Sequence, residues 1–243
     1  MNSLIKKERF DKVFNQIEAA GAAFSAQVHP EESKIRIELP LVAGKSQYVF
    51  NIKDTMVTGP KEVGLNRNDV FIPNGWSVLI GMRQDANPQV EKLYSFVPVN
   101  DGVNPSVFPV GFTTDAAEAI YAGYMSWVID NTVLLSTYPT EKFKHIPETQ
   151  GAFVLDSNDN AVQEGIQPQW DIDDALKLLI ERIIVCGTRD HKITLNFDAS
   201  GLSFPCTSGY TPYLVLMLDG FLVKGGCEKI EGENAWGPAV GMW

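Results

Sequence analysis

The chain has 243 residues, 44% of them hydrophobic and 21% charged, which argues against long disorder and allows one large domain or two small ones. Its net charge of -10 and pI of about 4.8 disfavour coating of DNA or RNA, because phosphate neutralisation needs a basic field. Fourteen prolines and twenty glycines imply frequent chain reversal, and so short strands and turns more than helices.

Residues 3 to 20 read as an amphipathic helix, with Phe10, Val13, Phe14 and Ile17 at helical spacing and Gly21 as its stop. Residues 1–24 are therefore expected to form an N-terminal helical arm that packs on the body or on a neighbour. Its basic residues Lys6, Lys7, Arg9 and Lys12 are diluted by Glu8 and Asp11, the pattern of a solvated helix face. A linker over 22–34 leads into residues that alternate. Ile35, Ile37 and Leu39 face one way, Arg36 and Glu38 the other. The "AGK" turn predicts a hairpin of 35–40 with 46–52. Residues 68–83 predict a long β-rich stretch bent at Pro73-Asn74-Gly75, and "EKLYSFVPV" the next strand. Between 100 and 120 a loop precedes a short helix that Thr114 could cap, with Asp115 and Glu118 in its first turn.

From Tyr124 onward Met125, Trp127 and Ile129 alternate with Ser126, Val128 and Asp130. Asp130-Asn131 is a tight-turn pair, and "TVLLSTY" returns until Pro139. A third extended piece is expected over Phe143 to Ile146. Residues 170 to 184 are ambiguous: Ile172, Leu176, Leu179, Ile180 and Ile183 share one helical face, with Asp171 or Asp173 as cap, but the end is β-branched, so a short helix is expected first and then a hairpin. "RIIVCG" is then expected to pair with "HKITLNFD" across "TRD". "YLVLMLDGFLVKG" reads as a last buried strand, and Trp236 and Trp243 suggest that the Gly-rich tail docks on the body. About ten strand candidates separated by turn signals point to a sandwich, a barrel or a jelly roll.

Signatures of chemistry are few. The chain has no G-x-S-x-G, H-E-x-x-H, P-loop or G-x-G-x-x-G, and "VKGGCEKIEG" opens no convincing helix. Asp156, Asn158 and Asn160 alternate as calcium ligands would, but Ala161 stands where the loop needs glycine and Gln167 where it needs a bidentate acid. A polar surface loop is the simpler reading, with a weak, irregular cation site left open. The three histidines, His29, His145 and His191, lie far apart, and Asp190-His191 falls in an expected turn. The carboxylates Glu31-Glu32, Asp173-Asp174 and Asp54 near Glu62 sit in loops or at a helix start. Cys186, Cys206 and Cys227 are odd in number and widely spaced, so buried reduced thiols are expected rather than a disulfide framework or a zinc site. The N-terminus lacks a signal-peptide pattern, and no apolar run reaches the roughly 20 residues of a spanning helix.

Three segments carry a resemblance: "LNRNDVFIPNGWSVLIGMR" (65–83), "IYAGYMSWVIDNTVLLSTYPTEKFKHIPETQ" (120–150) and "LVLMLDGFLVKG" (214–225). An "NRND" entry to a long strand, a "Y-x-G-x" strand, a "DNTV" return and a "P-E-T-Q" ending together resemble virion structural proteins of bacteriophages, of the jelly-roll capsid type. The resemblance implies a mainly β subunit, a jelly-roll-like antiparallel β-sandwich over 25–243 with one or two short inserted helices, that repeats in a shell. It implies copies of itself and other virion proteins as partners, and a virion assembled in the host cytoplasm. It implies no enzyme activity and no catalytic, cofactor or metal residues. The chain is short for a double jelly roll, which stays open. The acidic balance departs from capsid proteins that condense a genome through a basic arm. The arm's helix would instead suit contact with lipid or an inner layer. The alternative is a ligand- or glycan-binding β-sandwich, lectin-like or an adhesion module, with Trp76, Trp127 and Trp170 as its first aromatic candidates. An enzyme on a cupin-like barrel would need a metal cluster, which three scattered histidines supply poorly.

Overall fold

Period-two alternation of apolar side chains runs through the strands at 31–40, 47–51, 124–129 and 191–196 and decides which face each one buries. The computed structural model describes residues 11, 30–57, 59–95, 114–145, 148–149, 153–155, 161–163, 168–169, 175–179, 183–204 and 208–227. In chain order these hold β1 (Glu31–Pro40), β2 (Gln47–Asn51), a 3₁₀ turn (Asp54–Met56), β3 (Val70–Gln84), β4 (Glu91–Tyr94) and helix α1 (Thr114–Tyr121). β5 (Tyr124–Ile129) and β6 (Thr132–Pro139) follow, then a second 3₁₀ turn (Thr140–Phe143). The short strands β7 (Glu148–Thr149), β8 (Phe153–Leu155), β9 (Ala161–Gln163), β10 (Pro168–Gln169), β11 (Lys177–Leu178) and β12 (Val185–Cys186) come next. β13 (His191–Asn196) and β14 (Tyr210–Val223) complete the set.

The chain is mainly β, and its named strands pair antiparallel. One sheet has the order β1-β14-β3-β11, with β12 and β4 also on the second edge of β3; the other has the order β2-β13-β5-β6. β7 with β10 and β8 with β9 make two small ladders. Trp76, Val78, Ile80, Leu214, Leu216 and Leu218 from the first sheet form one core with Phe50, Trp127, Ile193 and Leu195 from the second. Side chains on the same strands that point the other way, Leu79, Tyr213, Val215 and Met217, join Ala175, Leu176 and Leu93 in a smaller cluster on the outer face of the first sheet. This explains why β3 and β14 read as nearly continuous apolar runs: both of their faces are buried.

β3 and β14 run side by side from Val70↔Val223 to Gln84↔Tyr210, with one irregularity. Gly75 faces Asp219 and Pro73 faces Gly220, so Asn74 is the extra residue of a β-bulge. A bulge is where a strand interior tolerates proline. Gly220 is required there, since a Cβ would come 2.1 Å from the Ile72 carbonyl oxygen. The bend expected at Pro73-Asn74-Gly75 is this bulge.

The β5–β6 hairpin follows the expected layout. Met125, Trp127 and Ile129 are buried, and Asp130 turns the chain with φ 52°, a left-handed conformation that aspartate tolerates better than most residues. The strand expected from Glu91, here β4, and the helix over α1 also hold, and β4 pairs with β3. Other expectations are corrected. Residues 35–40 and 46–52 form no hairpin: β1 pairs with β14 and β2 with β13, so the chain crosses between sheets at the "AGK" turn. "RIIVCG" and "HKITLNFD" part in the same way, β12 joining β3 and β13 lying between β2 and β5. Of the short helix expected at the start of 170–184, Ala175 is the one described helical residue, and Lys177–Leu178 already pair with Trp76 and Gly75 as a strand. Phe143 ends a 3₁₀ turn instead of opening an extended piece, because its ring packs edge-on against Trp76 at 5.1 Å. Apart from Asp11, the arm over 1–24 lies outside the described residues, as do Trp236 and Trp243. No helix among the described residues is long and apolar enough to cross a membrane.

Candidate functional site

The densest polar chemistry among the described residues lies on the outer face of the first sheet. Ile35 and Ile37 point into the core, so Arg36 and Glu38 must point out. The β3–β4 pairing sets Arg83 opposite Glu91. Arg36 donates from both terminal nitrogens to Glu91, at 2.9 and 2.6 Å, and from Nε to Glu38 at 2.8 Å. Arg83 donates to the other oxygen of Glu38, Lys61 lies 3.0 Å from Glu91, and the Tyr213 hydroxyl donates to Glu91 at 2.5 Å. The Arg83 guanidinium also stacks 4.5 Å over the Tyr213 ring. That ring lies against Gly81, where a Cβ would meet it at 2.4 Å.

The Glu38 side chain is only 5% exposed and that of Glu91 13%. Burial alone would raise the Glu91 pKa; hydrogen bonds from Arg36, Tyr213 and Lys61 win and hold it down at about 2. Burial and the neighbouring Glu91 push the Tyr213 hydroxyl up, out of the titratable range. The network sets three cations against two carboxylates and ties β1 to β3 and β4 across β14. Glu91 is held ionised, the state of a mechanical tie and not of a proton-transfer group poised near neutral pH.

The second polar feature is His191. It is 1% exposed, and its Nδ1 accepts from Trp127 Nε1 at 3.4 Å. Burial lowers its pKa to about 4, against the pull of the Cys186 carbonyl and Asp130, while Arg189 and Lys53 push it further down. His191 is therefore a neutral imidazole at pH 7. It sits behind the core aromatics, where Trp127 lies 6.0 Å from Trp76, and Trp76 lies 4.8 Å from Tyr138. Just outside, the hairpin tips are tied together: Asp130 N donates to the Asp190 carbonyl at 2.8 Å, and Asp190 N to the Asp130 carboxylate at 2.9 Å.

The remaining expected residues do not converge. His145 is half-buried and held through its backbone to Ser95. Asp54 is exposed on its 3₁₀ turn, whereas Glu62 accepts from the backbone of Glu38 and Gly59, so this pair shares no site. Glu31 pairs with Lys224 at 2.8 Å on the surface. Trp76 and Trp127 are both fully buried, which removes them from any sugar-stacking platform. His29, Asp156, Asn158, Asn160, Trp170, Asp173, Asp174 and Cys206 lie outside the described residues. Among the described residues no group of three or more His, Cys, Asp or Glu is arranged to hold a metal ion.

Reduced thiols were the expectation for the cysteines, and for two of them it is corrected: Cys186 and Cys227 are joined by a disulfide, with Cα atoms 5.6 Å apart. They are 41 residues apart in sequence, and β3 brings them together. Val70, its first residue, pairs with Cys186 on one side and with Val223 on the other, four residues before Cys227. The ionic network left half a trace in the sequence. Arg36 and Glu38 alternate outward from buried isoleucines, but Arg83, Glu91 and Tyr213 reach them only through strand register.

No family model matches this chain, and neither a curated protein nor a solved structure matches it significantly.

Proposed function

We propose that this chain is a jelly-roll virion structural protein, a bacteriophage capsid subunit that works by assembling with copies of itself. The observation that carries this reading is the strand order. Let β11 and β12 share one place on the second edge of β3, set aside β4, which pairs with that same edge as the return of a β3 hairpin, and number the remaining strands of the two sheets from one to eight. The sheets then read 1-8-3-6 and 2-7-4-5. First pairs with last, second with seventh, third with sixth and fourth with fifth. That order supports one long antiparallel ribbon wrapped around a core, as in the double-sheet jelly rolls of viral capsid, lectin and cupin domains.

Within that group, the structural role is favoured by what the side chains do. The best-formed polar cluster is a closed set of ion pairs that stiffens a sheet. Two of the three tryptophans that a glycan-binding reading would use lie in the core. The segments that resemble phage virion proteins coincide with the two longest strands, β3 and β14, and with the β5–β6 hairpin. The disulfide calls for an oxidising stage, which a particle meets once it leaves a reducing cytoplasm. Other virion proteins, and a lipid or inner layer met by the arm, are the partners proposed. Negative-stain electron microscopy of the purified full-length chain tests this. Shells or large uniform homo-oligomers are expected, and a field of single small subunits under every assembly condition would overturn the proposal.

A further inference from the structure

The second sheet differs from the first in its charge. β1 alone carries Glu31, Glu32, Lys34, Arg36 and Glu38, whereas β2, β5, β6 and β13 together contain one charged side chain, Lys192. The inward residues of this sheet fill the core, so its outward residues form a face of hydroxyls, side-chain amides and methyls around the one ammonium of Lys192. Val49, Thr194 and Ser126 lie side by side in one row, and Val128 and Val133 in the row beside Lys192. Val49 is 44% exposed, Tyr124 45% and Val133 54%.

We infer that this outward face is where a second copy of the chain docks, face to face about a two-fold axis near Thr194. The inference rests on the self-assembly proposed above and names its surface. The charge supplies the argument for a like partner. Two copies that each carry -10 repel across most of their surfaces. Here the carboxylates are confined to the rim, Asp130, Asp190 and Asp198 beyond the strand ends, with Asp190 already paired to Lys53 and Lys192, and side chains that donate and accept equally well are complementary to themselves. A basic partner would gain more elsewhere on this acidic chain. A rigid sheet backed by Trp127, Ile193 and Leu195 can lose water from its valines without rearranging.

The test is sedimentation velocity of the full chain over a range of concentrations at physiological salt, for wild type, the double variant Thr194→Glu with Ser126→Glu, and a control, Val90→Glu. Val90 is exposed on the turn before β4, away from this face. Wild type and control are expected to associate alike. The double variant, which sets four new carboxylates against one another across the axis, should associate at least about a hundredfold more weakly. Circular dichroism checks its fold; should it melt early, Val49→Lys at the rim of the face carries the same expectation. If the folded face variants associate as wild type does, this surface is wrong while self-assembly stands. If wild type itself never associates, both fall.

Discussion

Substituting His191 with glutamine isolates one term of the acid response. The imidazole is neutral in the fold because burial lowers its pKa from 6.5 to about 4, with Arg189 and Lys53 opposing Asp130 and the Cys186 carbonyl around it. The unfolded chain takes up this proton near pH 6.5, the folded chain only near pH 4. The unfolded state therefore binds more protons in between, and stability is full above about pH 6.5 and falls as the pH drops towards 4. Each pH unit is worth about 1.4 kcal/mol. Integrated, the loss is about 2 kcal/mol at pH 5 and approaches about 3 kcal/mol below pH 4. Urea unfolding of wild type and His191→Gln at pH 7, 6 and 5 measures it, because the carboxylates common to both cancel in the difference. The stability difference between the two should shift by about 2 kcal/mol from pH 7 to pH 5, wild type losing more. A difference flat with pH would refute the claim that the buried ring stays neutral, as would an imidazole resonance of His191 titrating near 6.5.

Other substitutions test the frame. Trp127→Ala should cost about 3–5 kcal/mol in chemical denaturation, as expected for a fully buried aromatic that touches both sheets. Glu91→Gln should cost about 2 kcal/mol, below the usual cost of breaking a fully buried pair because the site is partly exposed, and the loss should be non-additive with Arg36→Met in a double-mutant cycle. Replacing Cys186 and Cys227 together by serine should lower stability by about 4 kcal/mol under oxidising conditions, from the loop of 41 residues that the bond closes. Under strong reductant the wild type should lose that margin. Gly220→Ala should lower the melting temperature more than an exposed substitution does, since its methyl would collide with the Ile72 carbonyl.

Alternation made the faces of strands legible but not their neighbours. Ile35, Ile37, Met125, Trp127 and Ile129 could be placed inward from sequence because burial imposes a period of two. The Asp130-Asn131 turn was visible because few residues tolerate its conformation. The partner of β1 was not visible. A short turn suggests a hairpin, yet in a wrapped two-layer fold such a turn also carries the chain from one sheet to the other, as at residues 41–46 and 187–190. The same ambiguity hid the ionic network: only register brings Arg83 and Glu91 to Arg36, across more than forty residues of chain. Leu176 and Leu179 satisfy a helical period, but both are buried around a short strand on the edge of β3. Periodicity alone cannot separate these cases when the segment is short. The cysteines failed for a related reason, since a pair 41 residues apart becomes adjacent only once two strands flank Val70.

The role of the chain as a self-associating shell subunit is tested most directly by the mass of the native protein as its concentration rises. Native mass spectrometry, on protein purified without tags and held under both oxidising and reducing conditions, should show discrete multiples of 26.9 kDa that grow towards a closed assembly. A single species at 26.9 kDa throughout the series would contradict it.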